Sequence, residues 1–310
     1  VLIGQAWGGK NIEKVRCVVG STLFMTLIGG SLIALFGVIF AENILVALGT
    51  DPYVMHLSLP YVQWMLAGSP LIFIYIIYTS ILRGVGDSTT PLFASALTIG
   101  VGLVVTPVLI AGYFGFPKMG IISPAIATIL GNLAVLLFLI LYLNYRQHPL
   151  KLDWALLKNI RHQPQLSRMI LKLGVPTGVQ MVTTSVAGLV IVGLVNRYGA
   201  EATAAYGAVN QVLNYIQFPA LSIAIAASVF GAQAIGAGKS DLLNKVTRTA
   251  LSMNILFTGG LVILAYLFSK YLKALFITDS KVVVLGQQLL FIVMWVILFF
   301  GASAIFASIM

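Results

Sequence analysis

Long apolar runs alternate along the chain with short polar breaks. Eight runs reach the about 20 residues that a helix needs to cross a hydrocarbon core: 17–40, 58–82, 91–114, 120–145, 175–197, 204–230, 249–270 and 283–310. Open strands cannot satisfy their backbone groups in lipid, so the pattern predicts helices throughout and an all-α integral membrane fold. The longest polar stretch, 144–174, separates the fourth run from the fifth. It carries Arg146, Lys151, Lys158, Arg161, Arg168 and Lys172 against the single acid Asp153, with Trp154 and Leu156 interleaved. Such a stretch is expected to lie along a cytoplasmic headgroup surface.

Charge sharpens this picture. Only 8% of the 310 residues are charged and 59% are hydrophobic, whereas soluble domains carry about 25% charged residues. The net charge of +10 sits almost wholly in the polar breaks, which points to membrane topology and away from nucleic acid. Alternating the breaks puts Lys10, Lys14, Arg16, Arg83, the six cations of 144–174, Lys239, Lys245 and Arg248 on one side. The other side holds Lys118, Arg197, Lys270, Lys273 and Lys281. The richer side is expected to be cytoplasmic, which makes the chain a multi-pass protein of the inner (plasma) membrane. Cys17 excludes an internal disulfide and reads as a packing residue. The N-terminal stretch shows no signal-peptide order. A start at Val1 and an end in an apolar run suggest a fragment.

Residues 231–240, GAQAIGAGKS, resemble a phosphate-binding loop, but the first glycine of G-x-x-x-x-G-K-[ST] is replaced by Gln233. No nucleotide is therefore expected. The stretch is instead one copy of an internal repeat. Gln5, Ala6 and Gly8 match Gln233, Ala234 and Gly236, Lys10 matches Lys239, and the LGTDPYV around Asp51 matches the FITDSKVV around Asp279. Two halves on one plan follow. Extending the repeat predicts two more helices before Gln5 and two after Met310, giving two six-helix lobes that run parallel. The chain then comprises an N-lobe at 1–145, a linker at 146–173 and a C-lobe at 174–310, with eight transmembrane helices of an intended twelve. A cleft at such a repeat interface suits a transporter.

At ILRGVGDSTTPL, residues 81–92, the chain resembles the multidrug and toxic compound extrusion (MATE) transporters, through Arg83, Gly84, Gly86, Asp87 and Pro91. The Gln-Ala-x-Gly stretches, LGTDPYV and LGVPTGVQ resemble that family as well. The resemblance implies a V-shaped cleft and export of organic, often cationic, compounds driven by inward H⁺ or Na⁺, with no other cofactor. A lipid-linked oligosaccharide flippase of the same superfamily is the alternative. The basic linker and six-plus-six plan also fit a major facilitator, but GQAWGGKNIEKVR lacks that family's Asp-Arg signature. Nothing in the sequence suggests an enzyme: the lone Ser, His and Asp residues form no nucleophilic motif, and His56, His148 and His162 lack ligand partners at metal-binding spacing.

None of the eight acids falls in mid-span, so no coupling-ion carboxylate is expected in this chain. Many relatives have a carboxylate where alignment places Thr184. The strongest polar constellation is Asn210, Asn214 and Gln217, at i, i+4 and i+7 on one helical face. Gln180 with Thr184, and Asn132 in the other lobe, complete the expected substrate pathway. Interhelical hydrogen bonding is the competing explanation for the amides. Tyr75, Tyr78 and Trp64 offer aromatic surface for organic cations. Arg83 and Asp87 are spaced to pair at a cytoplasmic helix end, with Gly84, Gly86 and Pro91 forming a hinge or gate. The expected partners are the lipid bilayer and small organic solutes, with the protein acting as a monomer.

Overall fold

The computed structural model describes residues 1–47, 49–151, 156, 160, 163–267 and 280–309, and the side chains of 200, 280–287 and 298 fall outside that description. Its helices are α1 (Leu2–Gly8), α2 (Ile12–Ala47), α3 (Pro52–Ala67), α4 (Ser69–Gly84), α5 (Thr89–Ala111) and α6 (Ser123–Tyr145). The next long helix, α7 (Pro164–Asn196), begins inside the expected linker, and α8 (Ala200–Gly236), α9 (Asp241–Leu267) and α10 (Ser280–Ile309) follow. Among the described residues, seven helices are long and apolar enough to cross a membrane, or eight if one bent pair counts as a span. Asp279, Lys270, Lys273 and part of the linker, including Asp153, Trp154, Lys158, Arg161 and His162, lie outside the described residues.

The run 58–82 is not a single straight span. It consists of α3 and α4, bent by 48° at Gly68. Pro70 sits in the first turn of α4, where its missing N–H leaves no intrahelical bond unmade. Gly68 lets the bend close against α6, because a Cβ there would lie 2.5 Å from Cγ1 of Ile129. The matching helix of the second half, α10, is continuous.

The Gln-Ala-x-Gly stretches are also not loops. The first lies within α1, and the second forms the last turn of α8. A small residue at every fourth position lets helix backbones approach closely, and both stretches have that spacing: Gly4 with Gly8, and Ala232 with Gly236. Gly4, Ala6, Ala232 and Ala234 are buried. A Cβ on Gly8 would clash with the carbonyl of Gln233, and one on Gly236 with the carbonyl of Gln5.

The described residues group into two compact units. One contains residues 10–170; the other contains 171–310 together with 3–9, so α1 packs with the second half. In the first unit α2 packs on α3 and α4, and α5 on α6. One face of α2 is buried through Val15, Val18, Val19 and Leu23, a helical period. In the second unit α8 packs on α9 and α10. Its buried stripe, Val209, Val212, Leu213 and Ile216, meets Val262 and Ala265 of α9 and Leu290, Met294 and Ile297 of α10.

The repeat is kept in packing even where residue sizes are exchanged. In the first unit, small Gly30 of α2 faces Pro70 and Phe73 of α4. At the equivalent crossing in the second unit, Thr258 and Gly301 stand where the first half has Gly30 and Phe73. Gly301 of α10 lies under the side chain of Asn254, whose Oδ1 accepts from Thr258 Oγ1 at 2.8 Å. In the first half the glycine is on α2 and the larger side chain on α4, and in the second the glycine is on α10 and the larger side chain on α9.

Candidate substrate face and the helix-end cluster

Residues 81–92 form a turn that caps the next helix. α4 ends at Gly84, and Gly86 takes φ 91°, a left-handed conformation open to glycine. That turn breaks the helical register, so Arg83 and Asp87 do not pair. Arg83 donates to Ser80 Oγ at 2.9 Å. Asp87 accepts from the Thr90 N–H at 3.0 Å and from Thr90 Oγ1 at 2.5 Å, which satisfies a donor at the start of α5. Pro91 is buried just inside that helix, where its lack of an N–H costs nothing.

The start of the linker is seated against the same end of the unit and does not simply lie along headgroups. Leu150 is fully buried. Its carbonyl accepts from the hydroxyl of buried Tyr78 at 2.5 Å, and its N–H donates to His148 Nδ1 at 3.2 Å. Arg16 donates to the Pro149 carbonyl at 3.4 Å, and Lys151 to Gln147 Oε1 at 2.6 Å. Tyr78 is therefore a structural anchor and is not available to stack on a solute. Burial holds the imidazole of His148 below its ordinary pKa, against the opposing pull of Asp87. Burial tends to raise the Asp87 carboxyl, but the Thr90 hydrogen bonds and His148 together bring it below its usual value. Arg16 and Lys151, which alternation assigned to one side of the membrane, thus lie with Asp87 and His148 at one end of the unit.

The six expected pathway residues separate by environment. Asn132 is buried in α6, and its Nδ2 donates to the Thr128 carbonyl at 2.7 Å. It lies within packed helices and lines no open surface. Gln180 and Thr184 are exposed on α7, and Thr184 Oγ1 bonds back to the Gln180 carbonyl at 2.9 Å, a common arrangement for a membrane threonine.

Asn210, Asn214 and Gln217 do share a face, beside the buried stripe of α8. Asn214 is exposed and the other two are half-buried. Among the described residues none of the three has a hydrogen-bond partner, in contrast to Asn254 and Thr258, which satisfy each other in the core. Phe218, one turn beyond Asn214 and 59% exposed, borders this face. An amide left unpaired in hydrocarbon costs roughly 4–8 kcal/mol. Three together are therefore costly on a surface left facing lipid.

Sequence reasoning missed the bend at Gly68, the seating of Leu150 and the reciprocal glycine contacts. Only the last left a signal, in the paired small residues of the repeat.

The MatE family model matches residues 1–108 and 176–310. The chain is 41% identical to "Probable multidrug resistance protein YoeA" of Bacillus subtilis (strain 168) over 310 residues, covering all of this chain and 67% of that protein. It is 26% identical to "FAD transporter" of Shewanella oneidensis over 280 residues, 90% of this chain and 61% of that one. Among solved structures, a variant of the Vibrio cholerae MATE transporter VcmN superposes with a TM-score of 0.89 at 20% identity, covering 99% of this chain and 68% of that chain. The chain belongs to the MATE family of multidrug efflux transporters and is a membrane protein, not an enzyme. It spans about two thirds of the length of the curated relatives it matches.

Proposed function

We propose that this protein exports organic solutes by alternating access, exchanging them for inward H⁺ or Na⁺, as a monomer in the plasma membrane. The observation that carries this is the amide face of α8, where Asn210, Asn214 and Gln217 have no hydrogen-bond partner among the described residues and stand beside an apolar buried stripe. A solute that binds there exchanges hydrogen bonds with water for hydrogen bonds with the amides, and its ring surface rests on Phe218. Relatives named for multidrug resistance and for FAD transport support a role in moving organic molecules. No acid of the chain lies in mid-span, which leaves the driving ion to be identified by experiment.

The test is efflux from transporter-deficient cells that express the intact protein. A panel of fluorescent organic dyes is used, and the proton and sodium gradients are collapsed separately. Efflux should stop with one gradient only. Replacing Asn214 and Gln217 together by Leu should abolish it at equal membrane level. Unchanged efflux in that double variant would remove α8 from the pathway.

A further inference from the structure

We infer that the turn closing α6, residues 145–151, binds an anionic phospholipid, with the phosphate held by Arg146 and Lys151 and an acyl chain lying along α6. This stands apart from the amide face of α8 and does not depend on the export role proposed above.

Positive charge is gathered at this end of the first unit. Lys10, Lys14, Arg16, Arg83, Arg146 and Lys151 stand there against Glu13 and Asp87 among the described residues, whereas the opposite end carries Glu42, Asp51 and Lys118. Asp87 is already engaged, since both of its oxygens accept from Thr90. Arg146 is exposed and lies over the Tyr142 ring, 5.3 Å from its centre, while Lys151 donates to the neutral Gln147 Oε1. Among the described residues neither cation pairs with an acid. A zwitterionic headgroup carries its own cation and offers them little; an anionic headgroup supplies the missing counter-charge.

The backbone presents these cations from a packed support. The His148 N–H donates to the Leu143 carbonyl at 3.0 Å, and Gln147 takes φ 49°, which turns the chain back on the end of α6. Leu150 is then held in the core by Tyr78 and His148. Arg146 and Lys151 flank this hook on either side.

The side of α6 that leads to the turn matches the rest of a lipid. Leu133, Leu137, Leu141 and Tyr145, at every fourth position, are all exposed. At 1.5 Å per residue they cover about 18 Å, close to the roughly 15 Å depth of one leaflet's hydrocarbon. An acyl chain on this stripe brings its phosphate to the level of Arg146, with Tyr145 at the boundary where amphipathic rings belong.

The test uses the intact protein carrying Cys17→Ser and Tyr145→Cys, labelled with bimane and reconstituted in vesicles of phosphatidylcholine and phosphatidylglycerol. One lipid or the other is brominated, and quenching gives the ratio of their association constants at the turn. Phosphatidylglycerol should be preferred. Removing one cation should lower the ratio by up to about fivefold, and Arg146→Gln with Lys151→Gln should bring it close to parity. Arg146→Lys with Lys151→Arg should keep the preference, which separates charge from folding, and Lys118→Gln at the opposite end should leave it unchanged. Equal quenching by both lipids, a preference that survives the double Gln variant, or one lost in the charge-conserving or Lys118 variants overturns the inference. So does a preference abolished by excess inorganic phosphate at constant ionic strength, which would mark a site for a free anion.

Discussion

Gly8 and Gln233 lie 225 positions apart in the chain, yet the α-carbon of Gly8 rests against the backbone carbonyl of Gln233. Gly236 rests against Gln5 in the same way, so the contact is reciprocal. Each copy of the Gln-Ala-x-Gly repeat is the partner of the other. Such self-complementarity is what a two-fold related pair of surfaces produces, here within one chain.

This contact predicts a sharp size limit. Gly8→Ala or Gly236→Ala should lower thermal stability of the purified protein, by about 1–3 kcal/mol for an overpacked backbone crossing. Gly100→Ala, where an added Cβ would meet nothing within 4 Å, should be neutral or stabilising, as expected for glycine in a helix interior. Equal melting temperatures for all three variants would contradict the close approach.

Tyr78 supplies a second prediction. Tyr78→Phe removes only the hydroxyl and leaves the buried Leu150 carbonyl without its donor, a loss of about 1–3 kcal/mol. The linker should then detach more often, and limited trypsin digestion at Lys151 should accelerate. A digestion rate matching the wild type would show that the hydrogen bond does not hold the linker.

Acidity should loosen the same anchor. Because the folded protein holds His148 below its ordinary pKa of 6.5, the unfolded state binds more protons in that range. The stabilisation is thus full above about pH 6.5 and declines as pH falls toward the folded value. Asp87, also lowered in the folded state, contributes above its ordinary 3.8 and loses that contribution only at lower pH. Hydrogen exchange at residues 148–151 should therefore quicken between pH 7.5 and 5.5. His148→Asn keeps an acceptor for Leu150 without titrating and should flatten that dependence; an unchanged slope would assign it to another group.

Much of the molecule follows directly from the order of its residues. Apolar runs of bilayer length dictate helices because lipid offers backbone groups no other partner, and the paired Gln-Ala-x-Gly, Asp51 and Asp279 positions announce two halves on one plan. The spacing of Asn210, Asn214 and Gln217 likewise fixes them to one side of a helix, since 3.6 residues make a turn. Spacing along one helix says nothing about what stands opposite. Only the packed structure shows that these amides have no hydrogen-bond partner among the described residues while Asn132 is buried and Thr184 turns back on its own helix. Only the packed structure breaks the span at Gly68, where Ile129 fits against a residue without a side chain. Arg83 and Asp87, correctly spaced for a pair, are parted by the positive φ of Gly86, a backbone choice that pairwise spacing does not contain. Local periodicity sets which elements form, whereas burial, partnership and close approach depend on residues distant in the chain and are settled only when the helices meet.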